Sequence, residues 1–245
     1  MGKTVMVHAG LDGSHVTFKS SGVTVTGTAS SIYTARVKGR IHEFVSNYRD
    51  FGVDVARGRG IQFEEEYSLQ RGRLRLGSRQ DTLPAAEVSV LGPIPRENFA
   101  TWEGSHFSVH THRYGGTYAD LVGVFDSFRL IEGPLGIRLI PKSPDTVVSH
   151  KSPGLLKDIP EIGLLQSRQL THDVARSLPR HNGSNVAGGE LFVEGEGADG
   201  GSDCSSLTFW LAGNTAVTAV LPHPRLASDK LIPHLVDLEV DWENG

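Results

Sequence analysis

Three histidines fall within the stretch "EGSHFSVHTHRYGG": His106, His110 and His112. On a β-strand, side chains alternate between two faces. His106, Ser108, His110 and His112 therefore share one face, while Phe107, Val109 and Thr111 take the other. Same-face neighbours stand about 6.5–7 Å apart along a strand, and a divalent transition metal takes imidazole nitrogens at about 2.0–2.1 Å. His110 and His112 could converge on one such ion, with His106 joining only through a bulge. A third ligand would have to come from Asp120, Glu65, His8, His42, His150 or His172. The plainer expectation is a one-sided sheet, with Phe107 and Val109 in the core and the imidazoles on the wet face.

Two charged stripes elsewhere in the sequence are candidate interface elements. Arg71, Arg73 and Arg75 alternate with Gly72 and Leu74 and so share a face. Such a row can touch phosphates, but aromatic residues do not interleave with it as in single-strand binders, and Glu64, Glu65 and Glu66 lie alongside. Nucleic acid is therefore not the expected partner. Near the C-terminus, "LVDLEVDWE" sets Asp237, Glu239, Asp241 and Glu243 against Val236, Leu238, Val240 and Trp242. Like charges on one face repel unless solvated or matched. A match between the acidic and arginine stripes, inside the fold or across a subunit contact, would set register and partner choice.

The histidine stretch resembles the first motif of the cupin family, which runs Gly, five residues, His-x-His, three or four residues, Glu, then a later Gly. Gly104, His110, His112 and Gly123 stand near those places. Thr117 stands where the Glu ligand belongs (Gly116 at the shorter spacing), and no second motif follows. The resemblance implies a metal-dependent β-barrel enzyme with His110 and His112 as ligands and a metal-bound water as the reactive species. His-x-His also opens the metal sites of amidohydrolase-type barrels, but the alternating strands and helices of that fold do not follow it.

Other chemistry is thinly represented. Cys204, in "SDCSS", is the one cysteine, so no disulfide forms within the chain; a nucleophilic role would need an activating base, and no family signature marks one. The loop "EGEGADGGSD" carries Glu194, Glu196, Asp199 and Asp203 as oxygen donors for calcium, at a spacing that matches no EF-hand. The chain has no GxSxG elbow, Walker loop, Rossmann glycine fingerprint or CxxC pair. A formal net charge of -4 over 245 residues gives no whole-chain attraction to nucleic acid or anionic membrane. No apolar stretch is long enough for a signal peptide or a membrane span. The expected product is soluble, cytoplasmic or incorporated into an assembled particle.

The elements that must position these residues are mostly strands. "HVTFKSSGVTVTG" alternates, turns through Ser20-Ser21-Gly22 and alternates again, which predicts a hairpin. "IQFEEEYSLQ" places Ile61, Phe63, Tyr67 and Leu69 on one face, with Glu65 oddly among them. "RGRLRLG" and "AEVSVLG" read as short strands. "DLVGVFDSFRLI" reads as a strand apolar on both faces over Leu121 to Phe125, returning through "EGPLG" to "IRLIP". Residues 142–163 carry Pro144, Pro153 and Pro160 and read as a long connection. One helix is expected over 167–178, capped by Ser167, and a shorter one near Ser228. "GELFVEG", "SSLTFWLAG", "TAVTAVLP" and the terminal acidic strand complete the pattern.

The fold class that follows is mainly β, an antiparallel sandwich or barrel-like set of sheets with one or two short helices. Residues 1–141 form a β-rich domain, 142–163 a Pro-rich connection or arm, and 164–245 a helix plus strands completing the same domain. The expected function is that of a non-enzymatic binding or assembly protein without a cofactor. Its partner is another protein or a copy of itself. The alternative is the cupin-like enzyme with a divalent transition metal.

Overall fold

The computed structural model describes residues 2–80, 95–151, 153–195, 207–224, 226 and 228–245. The strand expected over 86–92, Cys204 and the 196–203 part of the acidic loop lie outside them. From the N-terminus run β1 (Thr4–Ala9), β2 (His15–Ser20), β3 (Ser30–Val37), β4 (Arg40–Tyr48), α1 (Phe51–Gly58), β5 (Gln62–Leu69), β6 (Gly72–Arg79), β7 (Glu97–Glu103) and β8 (Phe107–Tyr114). Then come α2 (Tyr118–Asp126), β9 (Phe128–Gly133), β10 (Gly136–Pro141), β11 (Val147–Ser149), β12 (Gly154–Ile159), β13 (Gly163–Gln169) and α3 (His172–Ala175). The C-terminal run is β14 (Ser184–Val186), β15 (Gly189–Glu194), β16 (Thr208–Ala212), β17 (Ala216–Pro222), α4 (Ser228–Val236) and β18 (Glu239–Glu243). The protein is mainly β, built of antiparallel sheets with short helices, as the alternation predicts.

The chain divides into two compact units, one of residues 1–31 with 152–245 and one of residues 32–151. In the first, β18 pairs with β2 and β2 with β1, so the two ends of the chain share a sheet. The other strands there run in the order β14-β15-β16-β17-β13-β12. Val16, Phe18, Val240 and Trp242 meet Leu155, Leu165, Phe209, Leu211 and Val220 in one buried cluster, closed by Leu231 and Leu235 of α4. Each such side chain contributes about 1.5–3 kcal/mol by leaving water.

In the second unit the sheet order is β3-β4-β8-β7-β6-β5, with β11 beside β3 and a separate β9–β10 hairpin. Strand β7 is buried throughout, so both of its faces are covered. Ala100 and Trp102 point to the apolar side, where Phe44 packs against Phe125 of α2 and Phe128 of β9 at ring distances of 6.1 and 5.2 Å. Glu97, Phe99, Thr101 and Glu103 point to the opposite side, where α1 lies. Gly52 permits that approach, because a Cβ there would overlap the Thr101 side chain.

Several elements differ from the pattern read along the sequence, each for a local reason. Residues 118–126 are helix rather than a central strand, because Thr117 caps them in a reciprocal box with Asp120. Leu121, Val124 and Phe125 then form a buried helical stripe. The helix expected at 167–178 shrinks to α3, capped by Thr171, since Ser167 and its neighbours are held in β13 between β12 and β17. Residues 23–26 do not return as a strand, because β18 and β1 already occupy both edges of β2. A bulge between Phe63 and Glu65 shifts the alternation of β5, which puts exposed Glu65 beside Tyr67 rather than in a core. The 142–163 connection contains β11 and β12.

Candidate functional site

The histidine strand becomes β8, and its period of two holds, with Val109 facing the apolar core. Its imidazole face is not wet. Only 7% of His110 is exposed, in a slot between Phe51 of α1 and Phe99 of β7 at ring distances of 5.4 and 5.1 Å. Burial, then the proximity of His112 and Arg59, drives its pKa down to about 3. His112, partly buried opposite Phe99, is also lowered, first by burial and then by Arg59. Both are neutral imidazoles at ordinary pH. His106 sits apart in the turn before β8, where its backbone N–H donates to Glu132. Among the described residues no group of three His, Cys, Asp or Glu side chains comes together to hold a metal.

The carboxylates on this face are tied to arginines. Glu97, fully buried, accepts from Arg59 at 2.5 Å and lies 2.8 Å from Arg79. Glu103 accepts from Arg73 at 2.8 Å and lies 3.3 Å from Arg75, and both arginines also reach Glu66. Arg73 and Arg75 thus close an ionic ladder across β5, β6 and β7. The acidic stripe is matched in the same local way. Glu239 pairs with Lys3, and Asp241 with Lys19 at 2.8 Å. Asp237 lies outside β18 and accepts from Ser20, Ser21 and Gly22, closing the turn after β2. Glu243 stands opposite His15 of β2. Each stripe finds its partners within its own unit rather than in the other stripe.

Arg71 departs from its row. It sits with Gln70 in the two-residue turn joining β5 to β6, flanked by the pair Leu69 and Gly72. Both turn residues are left-handed, with φ of 49° and 65°. That is the shape of a type I′ hairpin turn, normally built from Asn and Gly. Holding Gln and Arg there costs about 1–2 kcal/mol per residue.

Both residues line a cleft of about 580 Å³, with Trp102, Ser105, Arg129, Leu130, Ile131 and Glu132. Its walls are firmly set. Trp102 Nε1 donates to the Leu69 carbonyl at 2.8 Å. Glu132 accepts backbone N–H groups of Ser105, His106 and Phe107 at 2.8, 2.6 and 2.9 Å. Burial raises the Glu132 pKa, but those three bonds outweigh it and hold the carboxyl below its usual range. Gly104 makes room, since a Cβ would lie 2.7–2.9 Å from that carboxylate. Arg71 and Arg129 are exposed, and neither guanidinium meets a carboxylate among the described residues. The arginine row drew attention to Arg71. Nothing in the sequence links it to Arg129, because that neighbourhood depends on how the β9–β10 hairpin docks.

No protein-family model, curated protein or solved structure matches the chain. No helix among the described residues is long and apolar enough to cross a membrane.

Proposed function

We propose that the chain is a non-enzymatic recognition or assembly subunit that binds an acidic protein partner at the cleft beside the β5–β6 turn. One observation carries this reading. Arg71 and Arg129 are exposed and line the same cleft, whose walls are hydrogen-bonded through Trp102 and Glu132, while Arg59, Arg73, Arg75 and Arg79 are occupied by Glu97, Glu103 and Glu66. Carboxylates are the natural match for guanidiniums, through short charge-assisted hydrogen bonds. The turn geometry adds support, because unfavourable backbone conformations persist where they serve a site. A protein partner is favoured over nucleic acid because two arginines suit one or two carboxylates, whereas a phosphate backbone is held by a longer run of cations.

The test is fluorescence anisotropy with a labelled, acetylated octapeptide alternating Glu with Val and Thr. The wild-type chain is expected to bind it in a salt-sensitive way. The double variant Arg71→Glu with Arg129→Glu is expected to bind at least about tenfold more weakly. Equal binding by both proteins overturns the reading. So does a thymidine octamer that binds more tightly than the peptide with the same arginine dependence.

A further inference from the structure

The cleft offers a backbone surface as well as charge. The β9–β10 hairpin closes on the pair Gly133 and Gly136, and its register runs Ile131 opposite Arg138 and Arg129 opposite Ile140. In an antiparallel pair, alternate residues turn both backbone groups toward the partner strand, and the rest turn both outward. Leu130 is outward, since its N–H donates to Gln70 Oε1 at 3.0 Å. The Phe128 carbonyl is outward as well, accepting from Gln70 Nε2 at 2.8 Å. The Gln70 amide thus pairs with β9 as a neighbouring strand's peptide group would. Parity then sends the Leu130 carbonyl and the Glu132 N–H out along the same edge, into the cleft that both residues line. Among the described residues β9 has no strand on that side.

An open donor and acceptor in line, continuing a pairing that a side chain has begun, are what an extended peptide completes. Arg71 and Arg129 flank the same edge. We propose that the acidic partner segment binds in extended form, as a short strand added to β9 beyond Gln70. In that pose its backbone takes the Leu130 carbonyl and the Glu132 N–H, and a carboxylate side chain reaches Arg71 and Arg129. The segment is short, because Gln70 closes one end of the edge and the hairpin turn at Pro134 and Leu135 ends the other.

This inference rests on the function proposed above, and one experiment separates the two. Backbone amide exchange is followed by NMR with and without saturating octapeptide, in the wild type and in Arg71→Glu with Arg129→Glu. Strand addition predicts that the Glu132 amide exchanges at least about tenfold more slowly in the complex. The Ile131 amide, already bonded to β10, changes little. Arginine-dependent binding that leaves Glu132 exchange unaltered overturns strand addition while the recognition function stands. Binding that ignores the arginines, or no binding at millimolar peptide, overturns both. Removing the Gln70 amide supplies a second readout. Gln70→Ala frees the Phe128 carbonyl and the Leu130 N–H, so a peptide longer by two residues should gain affinity over the octapeptide in this variant alone. An equal gain in the wild type overturns the assignment of Gln70 as the closed end.

Discussion

At the scale of single residues, the imidazoles carry a clear pH dependence. His110 is held neutral by burial between two aromatic rings, with its pKa driven down to about 3 from an ordinary 6.5. Above 6.5 it is neutral whether the chain is folded or not, so it has no effect there. Below 6.5 the unfolded chain takes up a proton that the folded chain refuses. Stability therefore falls with decreasing pH from about 6.5 to about 3, at up to about 1.4 kcal/mol per pH unit from this side chain alone. His110→Phe keeps the ring between Phe51 and Phe99 and removes the titrating group. Urea unfolding at pH 7 and pH 5 should show the variant losing less stability than the wild type over that interval. An identical loss would mean that the residue titrates freely. The period-two split of "SHFSVHTH" was legible in the sequence. That the polar face would be buried was not, because the cover comes from α1, a helix distant in sequence whose approach depends on Gly52.

At the scale of elements, the β5–β6 turn sets recognition against stability. Gln70 and Arg71 occupy left-handed conformations that glycine adopts without steric cost. Arg71→Gly should raise stability by about 1 kcal/mol, read as a higher urea midpoint, and at the same time weaken binding of the acidic peptide. A variant that gains stability and binds equally well would show that the turn serves only the hairpin. The alternation places the two strands of this hairpin and the histidine strand β8, but it leaves β7 unread and takes Arg71 as a strand residue in line with Arg73 and Arg75. Residues 118–126 read as a strand although they form α2, because a buried helix and a buried strand are both continuous apolar runs over so few residues. The deciding signal, Thr117 with Asp120 three residues on, is a capping pair that was present in the sequence.

At the scale of the whole molecule, the unusual burial is that of Lys157. It stands 1% exposed in β12, its ammonium 3.2 Å from His8 Nε2 and donating to the Thr26 and Gly27 carbonyls at 3.1 and 3.2 Å. The ammonium also lies 5.8 Å from the Phe18 ring centre. Burial alone lowers its pKa to about 8, from an ordinary value of 10.5. Between those values the folded chain releases a proton that the unfolded chain keeps, so this group makes stability rise as the pH climbs from about 8 toward 10.5. Comparison of the wild type with Lys157→Met between pH 8 and pH 9.5 should show the wild type gaining about 1–2 kcal/mol relative to the variant. Parallel profiles would mean that the amine keeps its ordinary affinity for protons. In acid the order reverses. His8 and His42, both pushed down to about 4 by burial, join His110 in withdrawing stability below pH 6.5.

By itself the sequence determined the mainly β, antiparallel character, because alternation is a local consequence of strand geometry and survives without knowledge of neighbours. It also determined which residues carry charge and imidazole chemistry and which share a face of one strand. Only the tertiary structure decided what those residues meet. Glu97 and Glu103 draw arginines from adjacent strands, and the acidic stripe draws Lys3 and Lys19 from the opposite end of the chain. Arg71 and Arg129 are brought to the lining of one cleft, beside an edge of β9 that carries no strand among the described residues. Pairing is a property of three-dimensional proximity, and strands that touch here are separated by up to most of the chain's length.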